Sequence, residues 1–296
     1  MSTQCSRLGR SADEVGKRGS AAVRLAAAVS TVRYRIVDVF TQTPLEGNPL
    51  CVVLDPCRSE LMPRIAREVN LSETTFPVQT ADDAYEMRIF TPTAELPFAG
   101  HPSLGTAWLL GSGRWRQTTS GGTVIVETDE RGARMTQPKP EFAFIEKGAD
   151  AVLSALGLSA ADAIYRSTAG GTVHVLVATS EPIDEINPNP EAVTRASHDC
   201  GGISLVPFRA IDDATLQARL FAPAVGVPED PGSGSAAGPI GLLAREIWGT
   251  EPSITIRMGA EIGRPSELEV DTAGEITVGG RVVASAEGRF LLEGLM

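Results

Sequence analysis

Two glycine-rich loops in this 296-residue chain carry residue types that can bind and stabilise negative charge. The first reads Pro97-Phe98-Ala99-Gly100-His101-Pro102-Ser103, and the second Glu229-Asp230-Pro231-Gly232-Ser233-Gly234-Ser235-Ala236. Each leads into an apolar helical segment (Ser103–Leu110 and Ala236–Ile247), so each marks a helix start. First-turn N–H groups lack intrahelical partners, and the macrodipole adds partial positive charge there. Two such termini facing one cleft would hold a carboxylate and steady an enolate-like charge. Pro102 suits a first helical turn, where its missing donor costs nothing. One loop alone reads first as a turn and a cap; a matched pair argues for a site. A third element, Asn70-Leu71-Ser72-Glu73-Thr74-Thr75-Phe76, sets a carboxylate between an expected helix (Met62–Val69) and a strand. Taken alone, Glu73 reads as a surface or capping carboxylate.

The pairing of the loops follows from an internal duplication. Residues 76–97 read FPVQTADDAYEMRIFTPTAELP, and residues 206–228 read VPFRAIDDATLQARLFAPAVGVP. Asp82-Asp83-Ala84 matches Asp212-Asp213-Ala214, and Arg88, Phe90, Pro92 and Pro97 match Arg219, Phe221, Pro223 and Pro228. After a small shift, Gly105, Leu109, Leu110 and Trp115 match Gly238, Leu242, Leu243 and Trp248. In each repeat a turn signal precedes an alternating strand, then a Pro/Gly loop, then a buried helix. Strand patterning also covers Val32–Phe40, Leu50–Leu54, Thr123–Thr128, Val173–Ala178, Ile254–Met258 and Ile276–Val278, and a short helix is expected near Ala149–Leu156. The predicted fold class is α+β: two pseudo-symmetric lobes, each a mostly antiparallel sheet wrapped around a central helix. The first lobe is expected over 31–140 and the second over 141–296, with a terminal strand able to cross back to the first. Residues 1–30, rich in Arg, Ser, Gly and Ala, read as a disordered extension or a misassigned start.

Composition bounds the function. Hydrophobic residues make up 42% and charged residues 21%, the balance of a globular protein rather than a disordered one. A formal net charge of −11 and a pI near 4.9 argue against a nucleic-acid partner. No apolar run has the length of a bilayer span. Cys5, Cys51, Cys57 and Cys200 form no metal or CxxC spacing and read as reduced thiols of a cytoplasmic protein, Cys51 as core filling.

Six pieces, in order along the chain, resemble the PhzF-like phenazine-biosynthesis isomerase family, part of the wider diaminopimelate epimerase-like fold. They are Val37-Asp38-Val39-Phe40, Gly47-Asn48-Pro49, Leu71-Ser72-Glu73-Thr74, Glu95 to Pro102, Glu229-Asp230-Pro231 with Gly234-Ser235-Ala236, and Gly263-Arg264-Pro265-Ser266. The resemblance implies a cofactor-independent isomerase acting on a small carboxylate between two lobes. It carries acid/base catalysis onto Glu73, with His101 orienting or shuttling a proton and Asp230 setting a neighbour's protonation state. It carries substrate binding onto Asn48, Gly100, Gly234 and Ser235, the last donating to a substrate carboxylate. Burial between lobes should raise the Glu73 carboxyl from its ordinary value of about 4.3 towards neutrality. Relatives of the epimerase type use two cysteines at these loops; here they carry His101 and Ser235, which disfavours a two-thiol racemase. Gly232 and Ser233 depart from the family's pattern and are expected to loosen the second loop, and Met258 to alter one wall.

Other classes remain open on the residues alone. Gly232 to Ala237 fits a G-x-G-x-x-A dinucleotide motif, but Pro228 and Pro231 interrupt the strand that it requires. Ser235, His101 and Asp230 are the residue types of a serine hydrolase, without its G-x-S-x-G elbow. A non-catalytic small-acid binding protein of the same fold is the chief alternative. His101 alone reads as a helix-start residue bonded to backbone, His174 as a satisfied structural histidine in a strand, and His198 as part of a polar loop. Three scattered histidines argue against a metal site. A homodimer is compatible with the sequence, with no motif that argues for it.

Overall fold

The computed structural model describes residues 31–292, so the expectations about residues 1–30 and Cys5 lie outside the described residues. The first half of the chain runs β1 (Thr31–Val39), β2 (Asn48–Val53), α1 (Met62–Val69), β3 (Glu73–Ala81), β4 (Ala84–Phe90), β5 (Glu95–Leu96), α2 (Gly100–Leu110), β6 (Gly113–Thr119), β7 (Gly122–Thr128) and β8 (Gly132–Thr136). Then come β9 (Glu141–Phe144), α3 (Ala149–Leu156), β10 (Ala163–Ala169), β11 (Thr172–Ala178), α4 (Pro190–Asp199), β12 (Leu205–Ala210), β13 (Thr215–Ala218), β14 (Leu220–Ala222) and β15 (Val227–Asp230). The chain closes with α5 (Gly234–Trp248), β16 (Ser253–Met258), β17 (Ser266–Asp271) and β18 (Thr277–Leu291).

The expected mixed architecture is present, and strand pairing repeats between the halves. β1–β2 is antiparallel, β2–β3 parallel, β3–β4 antiparallel, β4–β6 parallel and β6–β7 antiparallel. In the same order, β10–β11 is antiparallel, β11–β12 parallel, β12–β13 antiparallel, β13–β16 parallel and β16–β17 antiparallel. Helices α1 and α4 occupy matching places between the second and third strands of each set, and α2 and α5 matching places before the fifth. The two sets join in one hydrogen-bonded network: β18 pairs β17 and β8 through Thr277–Arg281, then β1 through Val282–Leu291. The short strand expected at Ile276–Val278 is thus the opening of a 15-residue strand.

Side-chain chemistry repeats as well. Arg88 grips Glu95 through two bonds of 2.7 Å and lies over the Phe90 ring at 5.0 Å. Arg219 grips Glu229 at 2.8 and 2.7 Å and lies over Phe221 at 4.9 Å. Both central helices are buried nearly all round, which explains their lack of a polar face. Leu104, wholly buried in α2, contributes about 1.5–3 kcal/mol of the kind any core leucine does. Gly105 and its counterpart Gly238 stand where neighbouring side chains leave no room for a Cβ. A methyl group at Gly105 would lie 2.8 Å from Leu50, and one at Gly238 would collide with Gln137 Oε1.

One local expectation fails. His198 is not in a loop but in the last turn of α4, exposed to solvent. Asn189 caps that helix by accepting from the N–H groups of Glu191 and Ala192, and Pro190 opens it.

Candidate active site

Helix α1 ends on Asn70, whose left-handed backbone (φ 54°) stops the helix and turns the chain into β3. Glu73 therefore heads a strand rather than a surface turn. Parallel pairing sets Leu50 of β2 beside Glu73 of β3, which brings the head of β2, Asn48, near the same point. The starts of α2 and α5 abut there. A methyl group added at Gly100 would stand 3.3 Å from the Gly234 Cα, so glycine on both sides permits the contact. Gln137, just past β8, ties the junction: its amide donates to the Gly234 and Ser235 carbonyls and accepts from Gly238 N–H.

The seven residues singled out in the sequence meet at this junction. Asn48 Nδ2 donates to Asp230 Oδ1 (2.7 Å) and to the Gly232 carbonyl (2.9 Å), and lies 3.2 Å from His101 Nδ1. Ser72 donates to Asn48 Oδ1 at 3.2 Å and so fixes which way the amide faces. Both Asn48 amide hydrogens go to Asp230 and Gly232, and an amide nitrogen does not accept, so His101 Nδ1 faces it with a lone pair and the ring hydrogen sits on Nε2. Nε2 lies 3.3 Å from Glu73 Oε2, near but off line, and neither atom has a hydrogen-bond partner. Two buried polar atoms side by side without a protein hydrogen-bond partner are unusual.

Burial governs the titration of all three groups. It pushes the Glu73 carboxyl up to about 8, with the charge of Asp230 adding to the rise. Asp230 is raised to about 6 by burial, against the bonds from Gly232 N–H, Asn48 and Ser233 that favour its charge. His101 is lowered to about 3 by burial and stays neutral. One carboxyl that titrates in the neutral range thus faces an imidazole that does not, the arrangement of a proton-transfer pair.

These groups line a cavity of about 290 Å³ that also touches Phe98, Val173, Leu220 and Val227. Among its described lining residues there is no Lys or Arg, so an anion there would depend on helix N–H groups and hydroxyls. Among the described residues no His, Cys, Asp or Glu cluster has the form of a metal site, and no helix is long and apolar enough to cross a membrane. His174 was expected to be a satisfied structural histidine. It is satisfied, with Nδ1 2.7 Å from Ser204 Oγ and Nε2 2.9 Å from Ser235 Oγ, but it also forms cavity wall. No local motif announces this, because the three residues meet only through the sheet and the start of α5.

Residues 37–288 match the PhzC-PhzF family, described as phenazine biosynthesis-like protein. The chain belongs to this family. A trans-2,3-dihydro-3-hydroxyanthranilate isomerase from Pseudomonas aeruginosa is 37% identical over 284 residues, covering 88% of this chain and 99% of the relative. A PhzF-family phenazine biosynthesis protein from Bacillus anthracis superposes with a TM-score of 0.77 at 25% identity, covering 88% of this chain and 99% of that one. A hydroxyproline epimerase from Agrobacterium vitis shares the fold at 12% identity and a TM-score of 0.58, over 90% of this chain and 94% of its own. The chain is accordingly an isomerase of the PhzC-PhzF family.

Three of the motifs behind the resemblance hold the scaffold rather than the cavity. Arg264 donates to Asp38 Oδ1 (2.7 Å) and to the carbonyls of Gly47 and Leu45, while Asp38 Oδ2 accepts from Leu45 N–H. Together they pin the loop that delivers Asn48. Two expected departures are corrected by packing. Met258 is buried in the core and is not among the residues lining the cavity. The loop at Gly232 is not loosened: a methyl group there would stand 2.9 Å from Phe40, and its carbonyl is held by Asn48.

Proposed function

We propose that the enzyme moves a proton on a small unsaturated carboxylic acid with its own side chains, in a cleft between lobes spanning 31–140 and 141–296. Glu73, ionised, takes hydrogen as a proton from a carbon next to the unsaturated system. The C–H electron pair spreads into that system and its carboxylate, next to the N–H groups that open α2 and α5. The same carboxyl, now protonated, exchanges its hydrogen with water and delivers one to another carbon, so the substrate loses one proton and gains one. His101 presents its Nε2–H to the reacting edge, and Asp230 keeps the Asn48 amide facing His101. Gly100, Gly234 and Ser235 bind the acid; Asn48, expected to bind it as well, is buried behind the cavity and holds Asp230 and the second loop instead.

The observation that carries this reading is the open pair: a buried carboxyl titrating near 8 beside a neutral imidazole, neither atom hydrogen-bonded. Relatives named as isomerases of trans-2,3-dihydro-3-hydroxyanthranilate make that compound the first substrate to try, and weigh against a non-catalytic binder. Incubation with it in deuterated water, read by mass spectrometry, should place solvent deuterium in the product. Glu73→Gln should abolish incorporation while leaving ligand binding in place. Near-normal turnover by Glu73→Gln would remove the proposed role. The same reading puts the enzyme in the cytoplasm, where free thiols such as Cys51, Cys57 and Cys200 stay reduced, and leaves room for a homodimer.

A further inference from the structure

The hydroxyls around His174 form a line that can be followed hydrogen by hydrogen. Ser204 Oγ lies 2.7 Å from His174 Nδ1, His174 Nε2 lies 2.9 Å from Ser235 Oγ, and Ser235 Oγ lies 3.2 Å from Ser233 Oγ. By distance alone the line can run in either direction, but Ser235 has a single hydrogen. Where that hydrogen goes to an acid in the cavity, the Ser235 oxygen accepts from His174 Nε2–H, and Ser204 then donates to Nδ1. Burial keeps His174 neutral, with its value lowered to about 4, so a single ring hydrogen decides the direction.

We propose that His174 is a positioning residue, held with its hydrogen on Nε2, that donates to Ser235 and so frees the Ser235 hydroxyl to donate to the substrate's carboxylate. The inference rests on the reading of the cavity as a carboxylic-acid site. In the opposite tautomer Ser235 would present lone pairs to the cavity and repel that acid. With no Lys or Arg among the described lining residues, one correctly aimed hydroxyl is a large share of the recognition.

Two measurements test it. In the wild-type enzyme labelled with 15N-histidine, nitrogen-detected spectra should show the His174 ring protonated on Nε2, the signal being assigned by its loss in His174→Gln. Protonation on Nδ1 would overturn the proposal whatever ligand binds. Calorimetric binding of anthranilate and of its neutral amide supplies the second test. Gln can place an amide donor where Nε2 stands and should keep the preference for the acid. Asn, whose amide matches Nδ1, should lose about 10- to 100-fold of affinity for anthranilate and little for the amide, the effect of one hydrogen bond to a charged group. Equal losses for both ligands, or no preference for the acid in the wild type, would reduce His174 to packing. Neither test uses turnover, so an absence of deuterium incorporation would sink the isomerisation reading and leave this one to stand or fall separately.

Discussion

Replacing Glu73 by Gln should make the protein more stable as well as inactive, by an amount that depends on pH in a calculable way. The ordinary glutamate value of 4.5 applies to the unfolded chain, and the folded value is about 8. Between them the folded state holds a proton that the unfolded state has released. Stability therefore falls as pH rises across that window, by about 1.4 kcal/mol per pH unit. By about pH 7 the accumulated penalty approaches about 3 kcal/mol. Glu73 keeps 14% of its side-chain surface accessible. That contact with water lowers the expected penalty to about 2 kcal/mol. Glutamine has the same shape and does not titrate, so the variant escapes the term. Asp230 contributes with the same sign between its ordinary 3.8 and about 6. Both proteins contain it, so the difference between them reports Glu73 together with its coupling to Asp230. Urea denaturation of both at a series of pH values is the assay. The curves should converge below about pH 4.5 and separate steadily up to about pH 8. A constant offset across that range would refute a strongly raised Glu73 and, with it, its fitness as a base near neutrality.

Catalysis should follow the same group in the opposite sense: kcat/KM for proton exchange should climb with pH up to about 8 and then level. In Asp230→Asn that limb should move to lower pH, since a charge that raises Glu73 is gone, and a pH profile of deuterium incorporation checks both. The two Arg–Glu pairs should respond unequally to alanine. Arg219 and Glu229 retain only 5% and 10% of their side-chain exposure, so Arg219→Ala should cost about 3–5 kcal/mol. Arg88 and Glu95 retain 41% and 39%, so Arg88→Ala should cost under about 1 kcal/mol in the same urea titration. Gly100→Ala should cost about 1–3 kcal/mol through its contacts with Gly234 and Met135, and should lower kcat by parting the two helix starts.

The elements legible in the sequence are those written over short distances. Alternation reveals β4, and the unbroken apolar run reveals α2 and α5, because burial on one face or on all faces shows in adjacent residues. The Gly100 and Gly234 turns are legible for the same reason, and the duplication lets each loop vouch for the other. What escapes depends on contacts between distant segments. Nothing near His174 tells that Ser204 and Ser235, 30 and 61 positions away, will bracket its ring. Gln137 looks like an ordinary polar residue beside Pro138 until the start of α5 lies against it. The helix holding His198 did have a local signal, an Asn189-Pro190 cap, which the polar run after it obscures.

The closing strand has a consequence for how the protein is made. Thr31 to Val39 find their partners at Leu291 to Val282, so β1 waits for a segment made far later in the chain to leave the ribosome. Until then β1 has only β2 on one edge, and its other edge stays open to wrong pairing. A nascent chain cut short before residue 282 should lack this clasp, so the two sets of strands are joined here only once residues 282–291 have been made.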